Sequence, residues 1–286
     1  MRIAHLILTH GDPAQLERLI NKISYADDCI YIHVDLKTDI HTYRHLFNKP
    51  QIHFIQNRVK VYWGTFSIVQ ATINALTEIL ESSESFDFLN LLSSQDYPLK
   101  SNKEIHDFLE ANKEKAFMEF YDVYSGWKEA IPRIEKYFLT EYHFKGKHLV
   151  EGLLNKILPK RKLPYHLTAV GRSQWFTIPY THAAFIVQYI KEHNKLIPFF
   201  KLTWGSDELF FQTILFNSPF RNKMINNNVR YIDWSDKKAS PKTLTLADAT
   251  KLLESGKLYA RKFNIIIDSN VLDYIDGQIQ SRSSLL

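Results

Sequence analysis

Two adjacent carboxylates, Asp207 and Glu208, stand in Gly205-Ser206-Asp207-Glu208 immediately before the apolar run Leu209-Phe210-Phe211. A carboxylate at a helix start ordinarily caps the helix and complements its dipole. The alternative is a general base that takes a proton from an attacking hydroxyl. Asp207 competes with Glu208 for either role. Two basic residues fall in strand-like surroundings: Arg230 in Val229-Arg230-Tyr231-Ile232-Asp233-Trp234, and Lys262 in Tyr259-Ala260-Arg261-Lys262-Phe263. They are either surface charges on snorkelling stems or a pair that grips an anion.

What the chain lacks narrows the chemistry. It contains no GxGxxG and no GxxxxGK[ST], which argues against a nicotinamide dehydrogenase or a P-loop kinase. HExxH, Cys/His clusters with zinc spacing and a GxSxG elbow are also absent from the sequence. No two acids stand one position apart as D-x-D, D-x-E or E-x-D, the pattern with which many nucleotide-sugar transferases grip a divalent cation. A diphosphate handled by this chain would therefore need Arg or Lys where a cation usually sits. Fixed positive charge stabilises a departing diphosphate as its own charge develops.

The 286 residues, 45% of them apolar, suffice for one sizeable core, in one large domain or two closely packed ones. Aromatics reach 14%, which fits core filling first and ring platforms for sugars second. The net charge of +5 is spread along the chain, with Lys160-Arg161-Lys162 and Lys237-Lys238 as its short clusters. That spread speaks against a nucleic-acid stripe and leaves solvated surface, a phosphorylated ligand or an anionic membrane face. The single cysteine, Cys29, lies in the apolar run Cys29-Ile30-Tyr31-Ile32 and reads as a buried, inert thiol.

The elements that must position these residues alternate. Ile3 to Thr9 reads as a strand, and Pro13 to Ile23 as a helix capped by Asp12 with Pro13 at its first position. Cys29 to Val34 and Ile52 to Ile55 follow as strands, Phe66 to Leu80 as a helix. Phe86 to Leu92 is a nearly unbroken apolar run, suited to a strand buried on both faces, and Lys103 to Ala111 looks helical. Residues 121–162 show weaker periodicity and read as a lobe open to acceptor contacts. Beyond it come a strand from Gly171 to Ile178 and a helix from Thr181 to His193. A helix opened by Ser206 runs through Phe216, and Val229 to Trp234 is a short strand. Leu246 to Glu254 is a helix, Leu258 to Phe263 a last ordered segment, and 278–286 a frayed tail. Strand–helix alternation predicts an α/β fold with a mostly parallel sheet flanked by helices. Ligands in such sheets sit beyond the carboxyl ends of the strands. That rule points to His10-Gly11-Asp12, His33-Val34-Asp35-Leu36-Lys37 and Ser93 to Pro98.

Several segments together resemble the motifs of the Core-2/I-branching glycosyltransferases, the family that also includes peptide O-xylosyltransferases. They are Ile32 to Lys37, Val61-Tyr62-Trp63-Gly64 followed by Ser67, and Leu91 to Lys100. Gly171 to Phe176, Asp207-Glu208 with Phe210-Phe211, and Tyr259 to Phe263 follow in order. The resemblance covers roughly residues 3–265. It implies a GT-A-like fold in a single catalytic domain, residues 1–277, with a nucleotide-binding half, 3–120, and an acceptor and diphosphate half, 121–277. It also implies an inverting, metal-independent transfer from a UDP-sugar, UDP-GlcNAc or UDP-xylose foremost, onto a hydroxyl of a glycan or lipid-linked acceptor. No cofactor is expected. Glu208 matches the family's base, and Asp35 the aspartate of its His-Val-Asp motif, at the nucleoside. Thr9 and His10 end the first strand, where the family places nucleoside contacts. Asp96 would shape the donor pocket, and Ser173, Gln174 and Trp175 belong to a later donor motif. Lys262 and Arg230 match the basic residues that replace the metal.

Animal members carry a membrane anchor, a stem and several disulfides, whereas this chain resembles a compact bacterial relative in surface-polysaccharide synthesis. The expected location is cytoplasmic, with peripheral contact at the inner membrane face as an option; no nucleic-acid partner is expected. Two readings stay open beside this one: a non-catalytic carbohydrate-binding protein, and a transferase of another nucleotide-activated group.

Overall fold

Near-continuous apolar runs make the central strands, because a strand covered on both faces cannot alternate. The computed structural model describes residues 1–44 and 49–283. In chain order it runs β1 (Ile3–Thr9), α1 (Pro13–Ile23), β2 (Cys29–Val34), α2 (His41–Arg44), β3 (Ile52–Phe54), α3 (Phe66–Glu81), β4 (Phe88–Ser93), β5 (Asp96–Pro98), α4 (Asn102–Glu110) and β6 (Ala116–Asp122). The second half contributes α5 (Ile131–Glu135), α6 (Lys147–Ile157), β7 (Val170–Pro179), α7 (Tyr180–Glu192), α8 (Leu196–Lys201), α9 (Phe210–Phe216), β8 (Met224–Asn226), β9 (Arg230–Ile232), α10 (Ala249–Glu254), β10 (Tyr259–Arg261) and α11 (Asn270–Ser283).

Among the described residues the strands form two sheets, β3-β2-β1-β4-β7-β6-β8 and β5-β10-β9. β3, β2, β1 and β4 run parallel, as does β8 beside β6, while β7 lies antiparallel to both β4 and β6. One core lies on the α3, α7 and α9 face, the other beneath α1, α4 and α11. This is the α/β, mostly parallel, helix-flanked, GT-A-like arrangement expected. Asp12 caps α1 by accepting from Ala14 N at 2.7 Å, and Leu16, Leu19, Ile20 and Ile23 bury its inner face. Each such side chain contributes roughly 1.5–3 kcal/mol of burial.

The structure corrects several boundaries. The helix expected from Ser206 breaks at Leu209 into a 3-10 turn at 206–208 and α9. Leu246 to Glu254 divides similarly, because Asp248 folds back to cap Thr245 before α10 begins. β6 arises where a lobe was read to begin, pairing with β7 through an irregular register at Met118/Phe120. Both sheets draw strands from either side of residue 120, so the expected halves interlock. Residues 278–283 of the expected frayed tail instead end α11, which buried Ile279 and the Arg18–Asp276 pair at 2.8 Å hold to the body, and 284–286 lie outside the described residues. No helix among the described residues is long and apolar enough to cross a membrane.

Candidate active site

A cavity of about 880 Å³ opens at the carboxyl ends of β1, β2 and β4 and is walled by β7, β9 and the end of β10. Thr9, His10, Asp35, Ser173, Gln174, Trp175, Glu208, Arg230 and Lys262 all line it, and Asp96 does not. Thr9 is buried, and its Oγ1 has no partner among the described residues. Asp35 N donates to Thr9 O at 2.8 Å, so the two strand ends meet at the floor. The Asp35 carboxylate accepts from Lys37 N at 2.8 Å, and Lys37 Nζ stands 3.4 Å from its second oxygen. Ser67 Oγ accepts from Tyr62 N at 2.8 Å, which fixes Tyr62 and the exposed Trp63 at the rim.

A second part of the lining is cationic. Arg261 is buried, with its guanidinium carbon 3.9 Å from the Trp175 ring centre. Its Nε lies 3.4 Å from Asp96 Oδ1 without forming a hydrogen bond, and Nη1 has no partner either. A desolvated guanidinium with unspent donors beside a cavity is a site for an anion. Asp96 thereby gains a role although it does not touch the cavity. It steadies Arg261, and it closes the turn after β4 by accepting from Ser93 N at 3.0 Å and Ser93 Oγ at 3.1 Å. Lys262 follows in the chain, lines the cavity and has no ion pair among the described residues. Buried Gln15 of α1 donates to Ser94 O at 2.9 Å and Phe263 O at 3.0 Å, locking this corner to the sheet.

Arg230 differs from the expectation. It reaches the cavity wall, but its Nη groups donate to Asn90 Oδ1 at 2.6 Å, Leu91 O at 2.8 Å, Phe176 O at 3.1 Å and Asn228 O at 2.5 Å. Burial lowers its pKa to about 10, still cationic at neutral pH. Its Nη donors thus stitch β4 to β7 and β9, leaving only its Nε unpartnered among the described residues, whereas Arg261 keeps both Nε and Nη1 unspent.

The acidic edge is formed by the turn at 206–208. Glu208 makes no side-chain cap, which separates it from the capping alternative. Its Oε2 instead accepts from Arg133 Nη1 at 2.5 Å, while the Arg133 guanidinium lies 4.3 Å from the Trp204 ring centre and 4.8 Å from that of Trp127. Asp207 also lines the cavity; desolvation first, then the Glu208 charge, raise its carboxyl to about 7. The turn packs directly on β7. A Cβ added to Gly171 would come 2.1 Å from Glu208 O, so only glycine admits this approach. Gly205, at φ +64°, starts the turn in the left-handed region, and a Cβ there would meet Arg133 Nη1 at 2.7 Å.

Glu119 of β6 is a fourth carboxylate of the cavity, raised by burial against the opposing pull of Arg172, whose Nε is 4.0 Å away. Glu119, just before the segment 121–162 read as a lobe, and Arg133, within it, were missed in the sequence, since they reach Glu208's neighbourhood only through the fold. Residues 239–241 at the rim were missed as well. Arg261 had a signal, since it stands beside Lys262 in a strand-like run. Among the described residues, no three His, Cys, Asp or Glu side chains gather as a metal-binding group.

The family model described as Core-2/I-branching enzyme matches residues 3–253. Xylosyltransferase 2 of Rattus norvegicus is 27% identical over 302 residues, covering 96% of this chain and 33% of that protein. Xylosyltransferase of Ciona intestinalis is 26% identical over 301 residues, covering 98% and 34% respectively. Xylosyltransferase 1 of Rattus norvegicus is 24% identical over 302 residues, covering 98% and 35%. The chain spans about a third of the length of these curated relatives.

Proposed function

Because the chain belongs to the Core-2/I-branching enzyme family of glycosyltransferases, we propose that it transfers a sugar, with inversion and without a metal ion, from a UDP-sugar to an acceptor hydroxyl. The observation that carries the reading is the buried Arg261 guanidinium with unspent donors, adjacent to Lys262 and lining the same cavity as Glu208. In this reading the nucleoside occupies the strand ends at Thr9, His10 and Asp35. The diphosphate lies against Arg261 and Lys262, with Trp175 beneath and Ser173 and Gln174 beside it. Arg230 supports that wall from behind.

The acceptor hydroxyl stands between Glu208 and the anomeric carbon. As its oxygen bonds to that carbon, its proton passes to Glu208. The bond from carbon to the diphosphate oxygen breaks, and its electron pair leaves with UDP. Arg133 orients the Glu208 carboxylate, and Asp207, with its raised pKa, limits the negative charge gathered on the turn. The exposed rings of Trp63 and Trp234 at the rim support a saccharide acceptor, since pyranose faces stack on such rings. We take the donor sugar to be xylose or GlcNAc and the acceptor to be a glycan or lipid-linked sugar of surface-polysaccharide synthesis. The names of the relatives support xylose.

Release of UDP from a panel of UDP-sugars, with a chelator present, tests the reading. Glu208→Gln should lower turnover by on the order of 10²–10⁴ while donor binding persists. Unchanged turnover in the variant, or loss of wild-type turnover on chelation, refutes it. A protein that binds no nucleotide returns the function to carbohydrate binding alone.

A further inference from the structure

Helix α6 is mounted the wrong way round for a soluble protein. Its polar side faces the protein: Glu151 Oε2 accepts from Leu139 N at 2.7 Å, and Asn155 exchanges bonds with the Tyr137 backbone at 2.8 Å each way. Its apolar side faces out. Leu149, Leu153 and Ile157, one helical turn apart, are 81%, 57% and 69% exposed, with Val150 beside them and Phe144 and Leu158 exposed at either end. The helix buries no residue at all. Isolated exposed leucines are ordinary, but an aligned stripe on a helix held by its polar face marks a contact surface.

The charges around the stripe indicate what it contacts. Lys145, Lys147, Lys156 and Lys162 flank it without an ion pair among the described residues, and Lys160 adds a fifth cation paired to Glu135 at 2.6 Å. The helix's one acid, Glu151, is turned inward. A second copy of this face would set lysines against lysines, whereas anionic headgroups complement them while acyl chains receive the leucines. We propose that α6 is an in-plane membrane-docking helix for an anionic lipid surface. The helix spans about 16 Å. It is fastened to the segment that carries Arg133, since Arg161 N donates to Glu135 O at 2.9 Å. The preceding His143 ring packs 4.8 Å from that of Tyr62 at the cavity rim. Docking would therefore hold the rim close to the lipid headgroups. Docking through α6 does not depend on which sugar the donor carries.

Vesicle co-sedimentation tests it, using phosphatidylglycerol mixed with phosphatidylethanolamine, and phosphatidylcholine alone, at two salt concentrations, with a vesicle-free control. The wild type should pellet with the anionic vesicles, less so at high salt, and weakly with neutral ones. Leu149→Glu with Leu153→Glu should lose binding on the order of 100-fold, because charge replaces the inserted stripe. Lys156→Gln with Lys162→Gln should lose about 30-fold, roughly fivefold per lysine. Both pairs of changes should leave thermal stability and protection by UDP at wild-type values. A wild type that stays in the supernatant, or leucine variants that pellet as it does, overturns the proposal. So does size-exclusion evidence of a dimer that the leucine changes split, which would assign the face to a second copy.

Discussion

Gly171→Ala perturbs the position of Glu208 without touching its chemistry. The added carbon would lie 2.1 Å from Glu208 O and 2.9 Å from Leu209 Cα. Ordinary contact begins near 3.4 Å, so the turn at 206–208 must retreat from β7 by roughly 1.3 Å, or the strand must yield, in a core with no spare volume. Backbone atoms cannot swing aside as a flexible side chain would. Overpacking of this kind costs about 1–3 kcal/mol. A displacement near 1 Å of a catalytic group costs about 10²-fold in rate. The expected signature is a turnover about 100-fold lower, with UDP affinity within roughly threefold of wild type, because Arg261 and Lys262 lie on β10 and beyond it. Turnover is read as UDP release at saturating donor, affinity by calorimetric titration, and folding by thermal unfolding. Should the alanine variant unfold, Gly205→Ala presses on the Arg133 end of the same pair and should give the same split. A folded Gly171→Ala enzyme with normal turnover would refute the claim that the turn's seat on β7 positions the base.

Asp207 holds in the folded chain a proton that the unfolded chain releases, since its carboxyl is raised to about 7. That stabilisation is complete below about pH 4 and is lost as pH climbs through 7. Urea titrations should therefore show wild type losing stability relative to Asp207→Asn between those limits; parallel curves would contradict this. His33 and His182, lowered to about 4 by burial, act in the opposite direction and cancel in the difference. Arg230→Met should cost about 1–3 kcal/mol in a denaturant melt, because it removes the side-chain donors to Leu91 O and Phe176 O and one of the two donors to Asn90 Oδ1. Lys262→Met should change stability by no more than about 0.5 kcal/mol. Similar stability losses in the two would erase the distinction between a stitching and a binding cation.

The central sheet was legible because β1, β2 and β4 are apolar runs longer than any local competitor, and because Asp12-Pro13 marks the start of α1 unambiguously. β5 was not, since its three residues make a strand only by pairing with β10 far along the chain, as Arg261 opposite Asp96 illustrates, whereas β9 lies inside the strand read at Val229 to Trp234 and pairs with β10 close by. The acidic turn was located, yet its partner was not. Arg133 lies 75 positions from Glu208, and nothing local to either residue announces the pair. The choice between Arg230 and Arg261 illustrates the same limit. Both are basic residues in short strands, and only the surrounding acceptors, supplied by β4 and β7 to one and lacking for the other, separate them. The outward stripe of α6 has the periodicity of any amphipathic helix. Its inversion appears only once Glu151 and Asn155 are seen bonded inward.

The most direct test of the account is the affinity for UDP, measured by calorimetry in chelator and again with added magnesium, for wild type and for Arg261→Met with Lys262→Met. Charge-assisted hydrogen bonds contribute about 1.5–3 kcal/mol each. Equal wild-type affinity in both conditions is therefore expected, with a loss on the order of 10²–10⁴ in the double variant. Wild-type binding that appears only with magnesium, or a folded double variant that binds UDP normally, would contradict it.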